Sequence, residues 1–171
     1  MITAGIDLGT SGVKVVLLGD GDRVLAAAHR PLTVSRPQPG YSEQDPQHWW
    51  LATTACLDAL RDQHGALLGE TVAIGLSGQM HGATLLDEAG QVLRPCLLWN
   101  DGRSAAQCAT LTQGWPALHA VTGNLAMPGF TAPKLMWVQE HEPEIFRRVA
   151  KVLLPKAYLR WRFTGEAIED L

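Results

Sequence analysis

The stretch Gly5-Ile6-Asp7-Leu8-Gly9-Thr10-Ser11-Gly12-Val13-Lys14 decides how this chain is read. Ile2 to Leu8 has the apolar pattern of a strand and Val13 to Leu18 has it again, with small and hydroxylated residues between them. Gly19-Asp20-Gly21-Asp22 supplies turn residues for a further hairpin into a third strand, Arg23 to Ala28. A tight bend at Gly9 to Gly12 turns several backbone N–H groups toward one point, and such a concavity holds an anion. Asp7 ends the first strand facing the same point, where one carboxylate can hold Mg²⁺ through the ion's own water shell. The expectation is therefore a phosphate-binding hairpin; the bland alternative is an ordinary hairpin with a surface Asp.

Composition narrows the surroundings of that hairpin. With 171 residues, 46% hydrophobic and 18% charged, the chain can bury a real core and is expected to form a single soluble domain. A net charge of -3 gives no electrostatic case for nucleic acid or for an anionic membrane, which leaves small-molecule chemistry. No basic leader precedes an apolar run and no apolar stretch is long enough to span a bilayer, so the expected location is cytoplasmic. Cys56, Cys96 and Cys108 are odd in number, widely spaced and set mostly among apolar residues. They read as reduced core thiols, with none assigned to metal or catalysis.

Beyond the hairpins, Ser35 to Asp45 carries Pro37, Pro39 and Gly40 and reads as a loop. Asp45-Pro46 then opens a helix, since Asp is a favoured N-cap and Pro suits the first helical position. Trp49, Thr53, Cys56, Leu57 and Leu60 follow at helical spacing until Gly65 ends the run, so the Trp49/Trp50 pair reads as packing. Thr71 to Leu76 is expected as a short buried strand, Gly82 to Leu86 as another, and Asp87 to Gly90 turns into Gln91 to Leu93 as a second hairpin. From Asp101 onward the pattern is helical: Ser104 to Gln113, Lys134 to Glu140, Pro143 to Val149 and Pro155 to Phe163, with a loop over Met127 to Pro133.

Two further clusters carry chemistry. Ser77-Gly78-Gln79-Met80-His81-Gly82 follows the Thr71 to Leu76 strand, and strand ends are where sheets form ligand crevices. Gln79 and His81 offer donors and acceptors suited to sugar hydroxyls, and Met80 can lie against a carbon chain. Leu98-Trp99-Asn100-Asp101-Gly102-Arg103 sets an aromatic platform beside polar groups, the mixture that an oriented polyol pocket needs. For each, a satisfied structural histidine or a core tryptophan is the competing reading. Other motifs fail: there is no G-x-x-x-x-G-K-[ST] loop and no G-x-G-x-x-G opening a helix. Gly75-Leu76-Ser77-Gly78-Gln79 misses a nucleophile elbow at its last position, and His141-Glu142-Pro143 breaks the helical register that a zinc pair requires.

Together the clusters resemble the FGGY carbohydrate kinases. Gly5 to Lys14 is similar to that family's first phosphate motif. Tyr41-Ser42-Glu43-Gln44-Asp45-Pro46 with Trp49-Trp50 is similar to the start of its first helix. Gln79-Met80-His81-Gly82 and Trp99-Asn100-Asp101-Gly102-Arg103 look like the sugar site of its members that phosphorylate D-xylulose, and Met127 to Lys134 and Leu154-Pro155-Lys156 agree.

The resemblance implies an α/β, ribonuclease H-like domain of the actin and hexokinase type, with a mixed sheet and flanking helices. It implies ATP and Mg²⁺ as cofactors and D-xylulose or a related pentulose as the substrate, phosphorylated at its terminal hydroxyl, and it leaves a homodimer open. By carry-over, Asp7 is catalytic and organises the metal; Gly9, Thr10 and Ser11 cradle phosphates and Lys14 reaches toward the γ-phosphate. Gln79, Met80, His81, Trp99 and Asp101 hold the sugar. The family continues for several hundred further residues that supply the catalytic aspartate and most of the adenosine pocket. Residues 1–171 are thus expected to be its N-terminal domain, incomplete and inactive alone, with Asp170 not assigned as the base. A non-catalytic sugar-binding half-kinase and an actin-like ATPase module are the alternatives, and the second leaves the Gln79 and Trp99 clusters without a purpose.

Overall fold

A computed structural model describes residues 1–169; Asp170 lies outside the described residues. In chain order its strands are β1 (Ile2–Leu8), β2 (Gly12–Leu18), β3 (Val24–Pro31), β4 (Glu43–Gln44), β5 (Thr71–Gly78), β6 (Thr84–Leu86), β7 (Cys96–Leu97) and β8 (Lys151–Leu153). The helices are α1 (Pro46–Gly69), α2 (Ala105–Gly114), α3 (Leu118–Thr122), α4 (Thr131–His141), α5 (Pro143–Phe146) and α6 (Pro155–Thr164). The α/β expectation holds. The chain divides into two compact units, one of Met1–Val34, Pro46–Gln79 and the segment from Lys156, the other of Ser35–Asp45 and Met80–Pro155.

The first unit is built on a four-stranded sheet in the order β3-β2-β1-β5. β1 and β2 pair antiparallel, as do β2 and β3, while β5 runs parallel to β1; β5 is an edge strand and, contrary to the expected burial, leaves Val72 and Ile74 exposed. That parallel pairing needs a long crossover, and α1 supplies it. Alternation along the strands sends Ile6, Leu8, Val13, Val15 and Leu17 into the core with Trp49, Cys56 and Leu60 of α1. Each such aliphatic side chain contributes about 1.5–3 kcal/mol on full burial. The same alternation puts Gly5, Asp7, Lys14 and Val16 on the opposite face, and a one-residue slip would exchange the two sets.

Helix α1 runs past its expected stop. The backbone departs from helical angles at His64 (φ -140°, ψ 38°), beside Gly65, and the helix then resumes to Gly69. Glycine costs a helix about 1 kcal/mol relative to Ala, and Ala66, Leu67 and Leu68 are strong enough formers to restart it. Trp49 packs edge-on against Tyr158 at 6.1 Å and Trp50 against Phe163 at 5.0 Å, so both tryptophans pack α1 against α6, as read from sequence.

The second unit holds two small antiparallel pairs, β4 with β7 and β6 with β8. Here the expected second hairpin is only partly formed. Val92 makes a single bridge to Leu86, and Leu93 N–H donates to the Leu85 carbonyl at 2.9 Å; the full partner of β6 is β8, sixty-odd residues later in the chain. Helix α4 starts at Thr131, not at Lys134, because Pro133 falls within its first turn, where no N–H partner is lost. Ala83, Leu85, Leu97, Trp137 and Val138 form the core, flanked by Tyr41, Leu93 and Phe146.

Candidate functional site

The strand register assembles the phosphate hairpin. Asp7 lies opposite Lys14 across the antiparallel pair, Lys14 lies opposite His29, and Asp7 pairs with Ser77 across the parallel one. Ser77, Asp7, Lys14 and His29 therefore form one polar row across the sheet face that α1 does not cover. A shallow cavity of about 400 Å³ opens there, lined by Gly5, Asp7, Lys14, Gly75 and Ser77 among others. Gly9 N–H closes the bend onto the Gly12 carbonyl at 3.0 Å, leaving Ser11 exposed at its tip.

Gln79 joins this hairpin. Its N–H donates to the Leu8 carbonyl at 2.8 Å, and its Oε1 accepts from Thr10 Oγ1 at 3.0 Å. The sequence grouped Gln79 with Met80 and His81, yet its carboxamide holds the bend instead, and the boundary between the units falls just after it. As a metal site, the hairpin offers a single exposed carboxylate, Asp7, and among the described residues no group of three or more His, Cys, Asp or Glu can cage an ion. One carboxylate fits a hydrated Mg²⁺ that takes its remaining ligands from water and substrate phosphates.

The second unit gathers the other candidates. Met80 is 60% exposed, and His81 is half-buried with φ at 58°, the left-handed region that non-glycine residues seldom occupy. The His81 ring stands edge-on to Phe130 at 4.6 Å, and its carbonyl accepts from Lys134 Nζ at 2.9 Å and Thr131 Oγ1 at 3.2 Å. Next in the chain, Gly82 is buried so tightly that an added Cβ would lie 2.7 Å from Pro155 Cγ and 3.0 Å from Cys96 Sγ. Gly129 is equally constrained, since a Cβ there would sit 2.6 Å from the Trp99 carbonyl oxygen. These contacts bring the turn at 80–82, the loop at 99–103 and the segment 127–134 together, as the sequence clusters require. Burial, and secondarily the Lys134 charge, hold the His81 imidazole below its usual value, so near neutral pH one ring nitrogen donates and the other accepts.

Asp101 takes a different place from the one its motif suggested. It is 1% exposed, and its Oδ2 accepts from Ser42 N–H at 2.6 Å and from Arg103 Nη2 at 2.7 Å. Its Oδ1 accepts from Arg103 N–H and Nε at 3.0 and 2.8 Å. With both oxygens occupied by donors from the chain itself, this carboxylate shapes the loop that carries exposed Trp99. Arg103 also meets Glu43 at 2.7 Å and lies 3.7 Å over the Tyr41 ring, while Arg94 joins Glu43 at 2.6 Å to Glu142 at 2.5 Å. Neither this network nor Lys134 was singled out from sequence. A signal for Lys134 existed, because Pro133, Lys134, Trp137 and Val138 form one buried stripe along α4, and a lysine inside such a stripe needs partners.

The chain belongs to the FGGY family of carbohydrate kinases, matching its N-terminal domain over residues 2–171, across both units. Among relatives, it is 60% identical to the xylulose kinase of Escherichia coli (strain K12) over 167 residues, 98% of this chain and 34% of that protein. With the xylulose kinase of Bacillus subtilis (strain 168) the identity is 43%, over 94% of this chain and 32% of that one. The chain thus spans about a third of the length of the curated relatives it matches. The crystal structure of xylulose kinase from Rhodospirillum rubrum superposes with a TM-score of 0.94 at 33% identity, covering 99% of this chain and 36% of that one. The fold is accordingly the ribonuclease H-like, actin and hexokinase type that the resemblance implied.

Proposed function

We propose that this chain forms the N-terminal part of an ATP-dependent kinase that phosphorylates D-xylulose at its terminal hydroxyl. The observation that carries this reading is the 60% identity to a xylulose kinase over 98% of the chain. Phosphoryl transfer asks the protein mainly for positioning and charge stabilisation, and the hairpin is suited to both. Gly9, Thr10 and Ser11 present backbone and hydroxyl groups to phosphate oxygens. Lys14 supplies positive charge, and the Thr10 to Gln79 bond fixes the bend that carries them. Asp7 would hold Mg²⁺, which when bound neutralises charge on the phosphates of ATP.

On the sugar side, Met80 lies against the carbon chain, the neutral His81 ring binds a hydroxyl and Trp99 offers an apolar wall, while Asp101 fixes the loop that carries Trp99. The base that takes the hydroxyl proton comes from the portion of the relatives that this chain does not span, and the whole works in the cytoplasm. A chimera tests the proposal: the chain replaces the corresponding third of the Escherichia coli relative, and ADP release is followed with a panel of sugars. D-xylulose-dependent release at a rate near the parent's is the expected result. A folded chimera that turns over a different sugar, or none, would refute the assignment.

A further inference from the structure

Lys134 is the one lysine of the described residues whose side chain is sealed inside the protein, at 0% exposure, and none of the ion pairs found there includes it. Its ammonium instead donates to two backbone carbonyls, those of His81 at 2.9 Å and Gly129 at 2.6 Å. A buried charge with no counter-ion in contact is costly, so its hydrogen bonds to those carbonyls must offset a large desolvation. Its surroundings fit that account. Asp101 and Cys96 are the titratable groups that favour its charge and His81 the one that it acts on, but the Asp101 carboxylate is occupied by Arg103 and the Cys96 thiol, fully buried, stays protonated.

The two carbonyls are not arbitrary. His81 sits at φ 58°, a conformation that is strained for a non-glycine residue and persists only where the surroundings enforce it. Its carbonyl is the one group of that residue held from α4, by Lys134 Nζ and by Thr131 Oγ1 together. Gly129 is the residue pressed against the Trp99 carbonyl, so the same ammonium ties the loop beneath Trp99 to the turn that carries Met80 and His81.

We propose that Lys134, assisted by Thr131, is a positioning residue for the sugar site: it holds His81 in the left-handed conformation and fixes the turn and the Trp99 loop as one surface. The proposal rests on the reading of His81 and Trp99 as sugar contacts. Lys134 does not touch the sugar. Its influence passes through the His81 backbone, so its loss changes sugar recognition without changing the phosphate hairpin.

The test uses Lys134→Met, which keeps the apolar stem, and Thr131→Val, which removes a single hydroxyl and leaves the ammonium in place. Two quantities are read in the chimera with the Escherichia coli relative: the backbone and ring NMR signals of His81, and the dissociation constant for D-xylulose by titration calorimetry. Lys134→Met is expected to move the His81 signals and weaken D-xylulose at least tenfold; Thr131→Val moves the same signals less and weakens binding about threefold, roughly 0.6 kcal/mol. The double variant should fall short of the product of the two effects, because both donors serve one carbonyl. His81 signals that stay in place in folded Lys134→Met or, if that variant does not fold, in Thr131→Val would overturn the proposal. His81→Ala that binds D-xylulose like the unsubstituted chain would instead sink the sugar-site reading, while displaced His81 signals in the lysine variant would still support the clamp.

Discussion

Asp7 and Lys14 face each other as register partners across β1 and β2, on the sheet face that α1 leaves open. Both are exposed, so attraction between their charges would add little to stability, and the proposed function gives them a use in what they present to a ligand. A carboxylate and an ammonium side by side next to a bend of small residues can meet a metal and a phosphate at once. The buried side of the same two strands, with Ile6, Leu8, Val13 and Val15, packs the core.

Asp7→Asn should therefore leave the fold intact and abolish most of the chemistry. In the chimera, turnover is expected to fall at least about a hundredfold, since the amide cannot balance metal and phosphate charge. Circular dichroism and D-xylulose affinity should be unchanged. A folded Asp7→Asn enzyme with near-parental turnover would remove this residue from the mechanism.

His81→Ala acts on the other substrate. Losing a buried hydrogen bond costs about 1–3 kcal/mol, so D-xylulose binding should weaken by that amount while the Michaelis constant for ATP stays within about twofold. Because the imidazole is held below its usual value of 6.5, the parent's sugar affinity should persist at pH 6.5 and decline only below it. A decline that begins well above that pH would contradict a neutral, half-buried ring.

What the sequence revealed follows from how local each signal is. The β1–β2 bend, the start of α1 and the glycines around His81 are written in neighbouring residues, and each was readable. The division into two units was not, because it depends on residues 35–45 leaving the first unit to pair with Cys96–Leu97 far along the chain. β4, β7 and β8 have two or three residues each, too few for any periodicity. The bonds of Asp101 were hidden for a related reason: a motif shows Asp and Arg two positions apart, but only the fold shows that Arg103 turns back onto the carboxylate.

That closed network makes Arg103 a stability residue. Its guanidinium is 2% exposed and neutralises Asp101, at 0%, and Glu43, at 11%, by side-chain exposure. Replacing it with Met would strand the buried Asp101 carboxylate and leave Glu43 to Arg94 alone, and breaking such a buried pair costs about 3–5 kcal/mol. Urea denaturation of Arg103→Met should show a midpoint lowered by that equivalent with the slope unchanged. A loss below about 1 kcal/mol would mean that Asp101 finds water or other donors once the arginine is gone.

The pH dependence of stability provides a separate reading of Lys134. Burial lowers its ammonium from 10.5 to about 8, so between those values the unfolded chain carries a proton that the folded one has released. Stability then rises with pH across this window, since the unfolded state binds more protons there. The thiols work in the opposite sense. Burial raises Cys56 and Cys108 above 9.0 and pushes Cys96 up to about 12, so the folded state keeps protons that the unfolded state sheds above 9.0, and stability falls. Lys134 thus acts without that opposition only from about pH 8 to 9, where stability should climb before it turns over. Denaturation midpoints taken across this range should show the climb in the parent and lose it in Lys134→Met, while the decline at higher pH remains in both. A parent whose stability is flat or falling from pH 8 to 9 would show that this lysine keeps its proton in the folded chain, and that its two carbonyl bonds outweigh its burial.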